Sequence, residues 1–306
     1  MNKNLIAIFS LLIILTFIGY IIFDTVTSDS GQADKTETGP EKPVQDQWFI
    51  SKEVTPSAGS PLSVAVSESG DIYLGGDSFL ACYDNLLSEK WTLKTPSGIS
   101  AIAVSGDTVF AASEELIFLV SGTGIMINEW GPYEANSIIT SVSAGKNYLA
   151  FADAGIKRVF ILKKNGEVHS MIGQSDKKFI IPSPYFDVAL SGDTILYIAN
   201  TGNHKIETWS MDGAFIRSFG EPGTASQAFC GCCNPAHFVV VPQGFITAEK
   251  GINRLKIVNF KGEFIEYVSS DNTFTPSVPL DIASDDGNTI YGVNSADSKL
   301  YVFKRK

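Results

Sequence analysis

The sequence predicts an all-β fold: a six-bladed β-propeller, preceded by one N-terminal transmembrane helix and a disordered tether. Three observations carry this. After residue 46 no sustained helical period occurs; short apolar or alternating runs are separated by Gly, Asp, Asn and Ser. The runs recur in corresponding sets: SVAVS, AIAVS, SVSAG, DVALS, HFVVV and DIASD, then DIYLGG, TVFAAS, YLAFAD, ILYIAN, FITAEK and TIYGVN, then FLACY, LIFLV, RVFIL, KIETW, LKIVN and KLYVF. Finally, the last set is one strand short at the C-terminus, while an unassigned apolar run from Gln47 to Val54 precedes the first.

The elements follow in order. Residues 1–4 read as a short tail, and Leu5 to Phe23 is a run of 19 residues without a charge. A helix of that length rises about 28 Å, close to the thickness of the hydrocarbon core. Lys3 precedes the run and Asp24 follows it. The positive-inside rule then leaves the N-terminus cytoplasmic and the propeller periplasmic or extracellular, a single-pass membrane protein held through residues 5–23. A cleaved signal peptide is the alternative, but no small-residue cleavage pattern follows closely. Residues 24–46 are polar and nearly devoid of large apolar groups, so they read as a flexible linker. The folded part spans 47–306.

Within it, Asp153, Asn200, Glu249 and Asn294 each end a second strand, and five residues later stand Arg158, Lys205, Arg254 and Lys299. Thirteen residues after the first three come Gly166, Gly213 and Gly262. An Asp or Asn can bond its own backbone in a tight turn, and the later Gly permits positive φ between third and fourth strands. The basic residue is expected to reach back and pair with the turn. The period of about forty residues is that of propellers and solenoids. Three strands from Pro279 to Lys306 need a fourth, and residues 47–54 are expected to supply it, closing the ring without an open edge.

The pattern resembles the NHL repeat. Its best copies are Asn200 to Ile206 (NTGNHKI) and Glu249 to Leu255 (EKGINRL); the first two repeats keep only the strand rhythm. The resemblance implies a six-bladed propeller. Some such propellers bind nucleic acid, and others are metal-dependent enzymes that use the channel mouth. Here the net charge of −10 and the lack of a Lys/Arg stripe argue against nucleic acid.

The stretch from Phe229 to His237, FCGCCNPAH, holds three of the four cysteines and one of the three histidines. It lies in the long connection between the fourth and fifth blades. Chain direction places it on the face that carries the second-to-third turns, within approach of His204. Three readings stay open: a disulfide within the loop, a soft-metal site, or a redox-active dithiol. For the metal, zinc or copper, the candidate ligands are Cys230, Cys232, Cys233 and His237. Aligning the inner strands puts Ser63, Ala101, Ser141, Asp187, His237 and Asp281 at one position near the channel mouth. The candidate ligand-binding set is therefore Asp187, His204, Cys230, Cys232, Cys233, His237, Glu249 and Asp281. Cys82, mid-strand, reads as a buried hydrophobe.

No nucleophile elbow, HExxH, phosphate loop or dinucleotide fingerprint occurs. The main reading is a membrane-anchored extracytoplasmic binding module, taking a protein, peptide or small molecule on its top face, with no catalytic residue assigned. A metal-dependent lyase or hydrolase at the channel mouth, and a thiol-redox or electron-transfer accessory protein, are the alternatives.

Overall fold

The computed structural model describes residues 14–16, 18, 47–174, 179–270 and 273–306. The chain divides into two compact units, 1–44 and 45–306. In the first, the described residues are Ile14 to Thr16 and Ile18, which are helical; the tether and most of the expected anchor lie outside the described residues. Among the described residues no helix is long and apolar enough to cross a membrane. This corrects the location expected from the sequence: the single-pass topology with a cytoplasmic N-terminus and a periplasmic or extracellular propeller is not carried forward. A span needs about twenty consecutive apolar helical residues. The expectation rested on an uncharged run of 19 residues with Lys3 before it and Asp24 after it.

The described residues of the second unit form six four-stranded antiparallel sheets. Blades one to five are consecutive meanders covering 61–94, 101–130, 139–172, 188–219 and 237–269. Blade six joins 281–305 to Trp48–Val54. Second and third strands are nearly continuous apolar runs because neighbouring blades cover both faces; Tyr148–Asp153 and Arg158–Lys163 stack Phe151 on Phe160 at 4.7 Å. Outer strands carry exposed positions, as in Met126–Trp130 and Phe215–Phe219.

The turn glycines serve packing as well as φ. Gly166 has φ 88° and Gly262 φ 87°. A Cβ at Gly166 would meet the Trp130 ring at 3.0 Å, and one at Gly262 would strike the Phe219 ring. Each ring belongs to the outer strand of the preceding blade, so the turn is also a seat for its neighbour.

One expectation fails in most blades. The basic residue pairs with the end of the second strand only in blade five, where Arg254 meets Glu249 at 2.8 Å. Arg158 instead reaches Glu134, and Lys299 reaches Glu53. Side-chain length explains it. Asp153 is short and already accepts the N–H groups of Ile138, Gly155 and Ile156 and the Ser137 hydroxyl. Asn200 likewise accepts the N–H of Ile180.

At the seam Trp48 pairs with Arg305 and Val54 with Leu300, so the C-terminal strand is paired on both of its edges. Trp48 is buried, with the Arg305 guanidinium 5.4 Å over its ring. The Lys299–Glu53 ion pair at 2.9 Å is 37% and 48% exposed, so solvent screens it. Glu53→Gln is therefore expected to change unfolding free energy by less than about 1 kcal/mol. Urea denaturation checks this; a larger loss would make the pair, not the ladder, the closure.

Candidate channel-mouth site and sulfur loop

The inner strands of all six blades line a central cavity of about 280 Å³. Most of its wall is Val, Ala, Ile and Leu; its ionisable lining residues are Asp187, His237 and Asp281. These come from three successive blades, which makes the mouth polar on one side. On the other side, Ser63 donates to the Ile99 carbonyl at 2.8 Å and Ala101 offers nothing polar.

The two carboxyls also clasp blades together. Asp187 Oδ2 accepts the Phe238 N–H at 2.7 Å, and its Oδ1 accepts the Val188 N–H at 2.8 Å and the Ser141 hydroxyl. Asp281 Oδ2 accepts the Val64 N–H at 2.8 Å. Asp281 Oδ1 then stands 3.4 Å from His237 Nδ1, while Asp187 Oδ2 stands 3.9 Å from the same nitrogen.

Burial dominates the electrostatics here. It pushes Asp281 up to about 8, against the Val64 hydrogen bond and with the charge of Asp187 adding to the shift. Burial also pushes Asp187 up to about 6, against hydrogen bonds from Ser141, Phe238 and Val188. The same desolvation brings His237 down to about 4. At neutral pH, then, a protonated Asp281 faces a neutral imidazole. The carboxyl oxygen and the ring nitrogen stand 3.4 Å apart, close enough to share a bound polar group. A weak acid and a weak base this close, partly shielded from water, can pass a proton or offer a ligand one donor and one acceptor.

The sulfur loop lies against the second-to-third turns of blades four and five. His204 Nε2 meets the Gly231 carbonyl, and Gly231 takes φ 92° to make the bend. The Cys230 N–H donates to Glu249 Oε2 at 2.9 Å. Asn234 is fully buried; its Nδ2 donates to the carbonyls of Cys230 and Lys250, and its Oδ1 accepts the Lys250 N–H at 2.9 Å.

Underneath is an ion cluster. Glu249 meets Arg254 at 2.8 Å and Lys256 at 3.0 Å, with side-chain exposures of 2% or less for all three. Arg254 also donates to the carbonyls of Thr224, Ala225 and Ala228, and Lys256 donates to Ala228. The connection is thus anchored by buried cations. Glu249, which is buried, and His204, which is half-buried, both hold the loop.

Three residues that sequence reasoning missed join loop to mouth. Lys250 Nζ lies 3.2 Å from Ser183 Oγ and 4.5 Å over the Tyr185 ring. Tyr185 meets His237 edge-on at 5.8 Å and 88°. Ser183 and Tyr185 sit in a connection with no repeat register, and Lys250 occupies a variable position of the repeat.

The soft-metal candidates are not gathered. His237 faces the two carboxyls, whereas Cys233 faces Cys232, Ser183 and Lys250. Among the described residues no group of three or more His, Cys, Asp and Glu side chains is placed to hold a metal ion. Nor is a disulfide present among them: Cys82, Cys230, Cys232 and Cys233 are free thiols, with Cys232 and Cys233 Sγ atoms 2.9 Å apart. Cys82 is buried, which pushes its thiol up to about 11.

Fold and site define a six-bladed β-propeller with an ionisable channel mouth. No family model and no curated protein matches the sequence, so NHL membership is not confirmed. Solved structures do match the fold. A streptogramin B lyase superposes with a TM-score of 0.61 at 14% identity, covering 85% of this chain and 98% of that one. Virginiamycin B lyase from Staphylococcus aureus gives a TM-score of 0.61 at 15% identity over 85% and 100%. A protein of unknown function from Bacteroides caccae gives a TM-score of 0.54 at 13% identity over 71% and 84%. At these identities the likeness shows the fold alone.

Proposed function

We propose that the chain is a binding propeller whose recognition site is the channel mouth of Asp187, His237 and Asp281, rimmed by Tyr185, Lys250 and the Cys230–Cys233 loop. The observation that carries this is the convergence of His237 Nδ1 on Asp281 Oδ1 at 3.4 Å beside a cavity of about 280 Å³. A cavity of that size takes a small molecule or one side chain of a peptide or protein partner. The mouth recognises a polar group that both donates and accepts hydrogen bonds, because it presents a carboxylic acid next to a neutral imidazole. The net charge of −10 speaks against a polyanion such as nucleic acid.

A second reading is favoured by the same Asp281–His237 contact: lyase-type proton transfer at the mouth, with His237 as the base. Two of the similar folds belong to lyases of streptogramin B and virginiamycin B, which makes those compounds the first substrates to try.

Thermal-shift screening of the full chain against a panel of small polar compounds, these two included, tests both readings. Compounds that stabilise the wild type are expected to lose at least about tenfold in affinity with His237→Gln, equivalent to about 1.4 kcal/mol. Ligands indifferent to His237→Gln would move the site elsewhere. Chromatographic conversion of a bound compound, lost in His237→Gln, would select the enzymatic reading.

A further inference from the structure

We propose that Cys232 and Cys233 form a thiol–disulfide exchange site for small-molecule disulfides, closing reversibly into a vicinal disulfide. Four observations support it. The two Sγ atoms are 2.9 Å apart, within about 1 Å of a covalent S–S bond. Cys232 is exposed and Cys233 buried, which separates an attacking thiol from a resolving one. The backbone on both sides is fixed by the buried Asn234 and Glu249, so the pair stays together. Lys250, after the second strand of blade five, and Ser183, in the connection before blade four, both approach Cys233.

The charge of Lys250 separates this reading from a metal site. An ammonium beside Cys233 repels a cation and favours a thiolate. Burial opposes that thiolate, but hydrogen bonds from Cys232 and Ser183 and the Lys250 charge together hold Cys233 below the ordinary thiol range. The shared proton correspondingly raises Cys232. Cys230, Asp187 and His237 are not among the groups acting on either thiol.

The chemistry balances without any other reactant. Cys232 Sγ attacks one sulfur of R–S–S–R while its proton passes to the Cys233 thiolate; a Cys232–S–R bond forms and R–S⁻ leaves. Cys233 then gives up that proton to the departed thiolate and attacks Cys232 Sγ, expelling the second R–S⁻. One chain thiol and one chain thiolate are oxidised by two electrons to a disulfide, and R–S–S–R is reduced to one thiol and one thiolate. A disulfide between adjacent residues is strained, and Cys232 leaves it open on one side, hence it is readily reduced again by a dithiol.

The test uses oxidised glutathione on the full native chain, followed by peptide mass spectrometry. The expected wild-type product is the 232–233 peptide lighter by two hydrogens and free of glutathione, with two glutathione thiols released. Cys233→Ser is expected to trap glutathione on Cys232. Lys250→Met keeps both thiols and is expected to slow closure about fivefold or more. It serves if Cys233→Ser does not fold. Stable glutathione on wild-type Cys232, no reaction of the native chain, a bridge to Cys230, an unchanged rate in Lys250→Met, or stoichiometric zinc or copper held on these thiols would each overturn the proposal.

Discussion

Glu249→Ala is expected to lower the unfolding free energy by about 3–5 kcal/mol, the cost of leaving a buried charge without its partner. Arg254 and Lys256 have side-chain exposures of 2% and 0%, and Glu249 is the carboxylate both contact. Arg254 cannot discharge itself. Lys256 can: burial already pushes it down to about 8 while Glu249 holds it up, so removing Glu249 drives the ammonium toward the neutral amine. The variant also strips the acceptor from the Cys230 N–H, so the sulfur loop loosens with the cluster. Lys256→Met is the informative contrast. It keeps the Arg254–Glu249 pair and a side chain of similar length, and is expected to cost less than about 2 kcal/mol. Guanidinium unfolding at neutral pH measures both. Equal losses in the two variants, or a Glu249→Ala loss below about 1 kcal/mol, would remove the cluster as the anchor of the loop.

That cluster also marks where sequence reasoning stops. Blade rhythm was legible because two physical demands repeat: apolar strands covered on both faces, and glycine turns seating a neighbour's ring. Gly166 under Trp130 and Gly262 under Phe219 satisfy both. The polar mouth was legible in part, since aligned inner strands put Asp187, His237 and Asp281 in register, and they do line one cavity. Lys256 was not legible. A lysine inside the LKIV strand reads as a solvent-facing position, and only the fold shows it fully buried beneath the loop. Ser183 and Tyr185 were hidden for another reason: they belong to an inter-blade connection, where no period constrains placement. The metal reading of the sulfur loop rested on proximity in sequence; His237 begins a strand and lines the channel beside Asp187 and Asp281. For the N-terminal run, the expectation came from its length, its lack of charge and its flanking Lys3 and Asp24, and most of that run lies outside the described residues.

Asp281→Asn is expected to strengthen the fold at alkaline pH, and the sign follows from linkage. Folded Asp281 holds its proton up to about 8, whereas its ordinary value is 3.8. Between those values the folded state binds the extra proton, so this group's contribution falls as pH rises. Asp187, moved from 3.8 to about 6, acts in the same direction up to its folded value. His237, moved from 6.5 to about 4, acts oppositely: the unfolded state binds the extra proton there, and stability rises with pH. Between pH 4 and 6 Asp187 and His237 nearly cancel, and above 6.5 Asp281 alone sets the slope at this site. That slope approaches about 1.4 kcal/mol per pH unit. An Asn keeps the shape and the oxygen that accepts the Val64 N–H, but never ionises. The variant should therefore match the wild type near pH 4, where both are neutral, and exceed it by about 3 kcal/mol or more at pH 8.5. Urea unfolding at both pH values decides it. A fold that becomes stronger when a carboxyl is neutralised is keeping that carboxyl against its own stability, which is how binding and proton-transfer residues are retained. If Asp281→Asn is instead weaker at every pH, the carboxyl is part of the blade clasp, and the channel mouth loses its claim as the site.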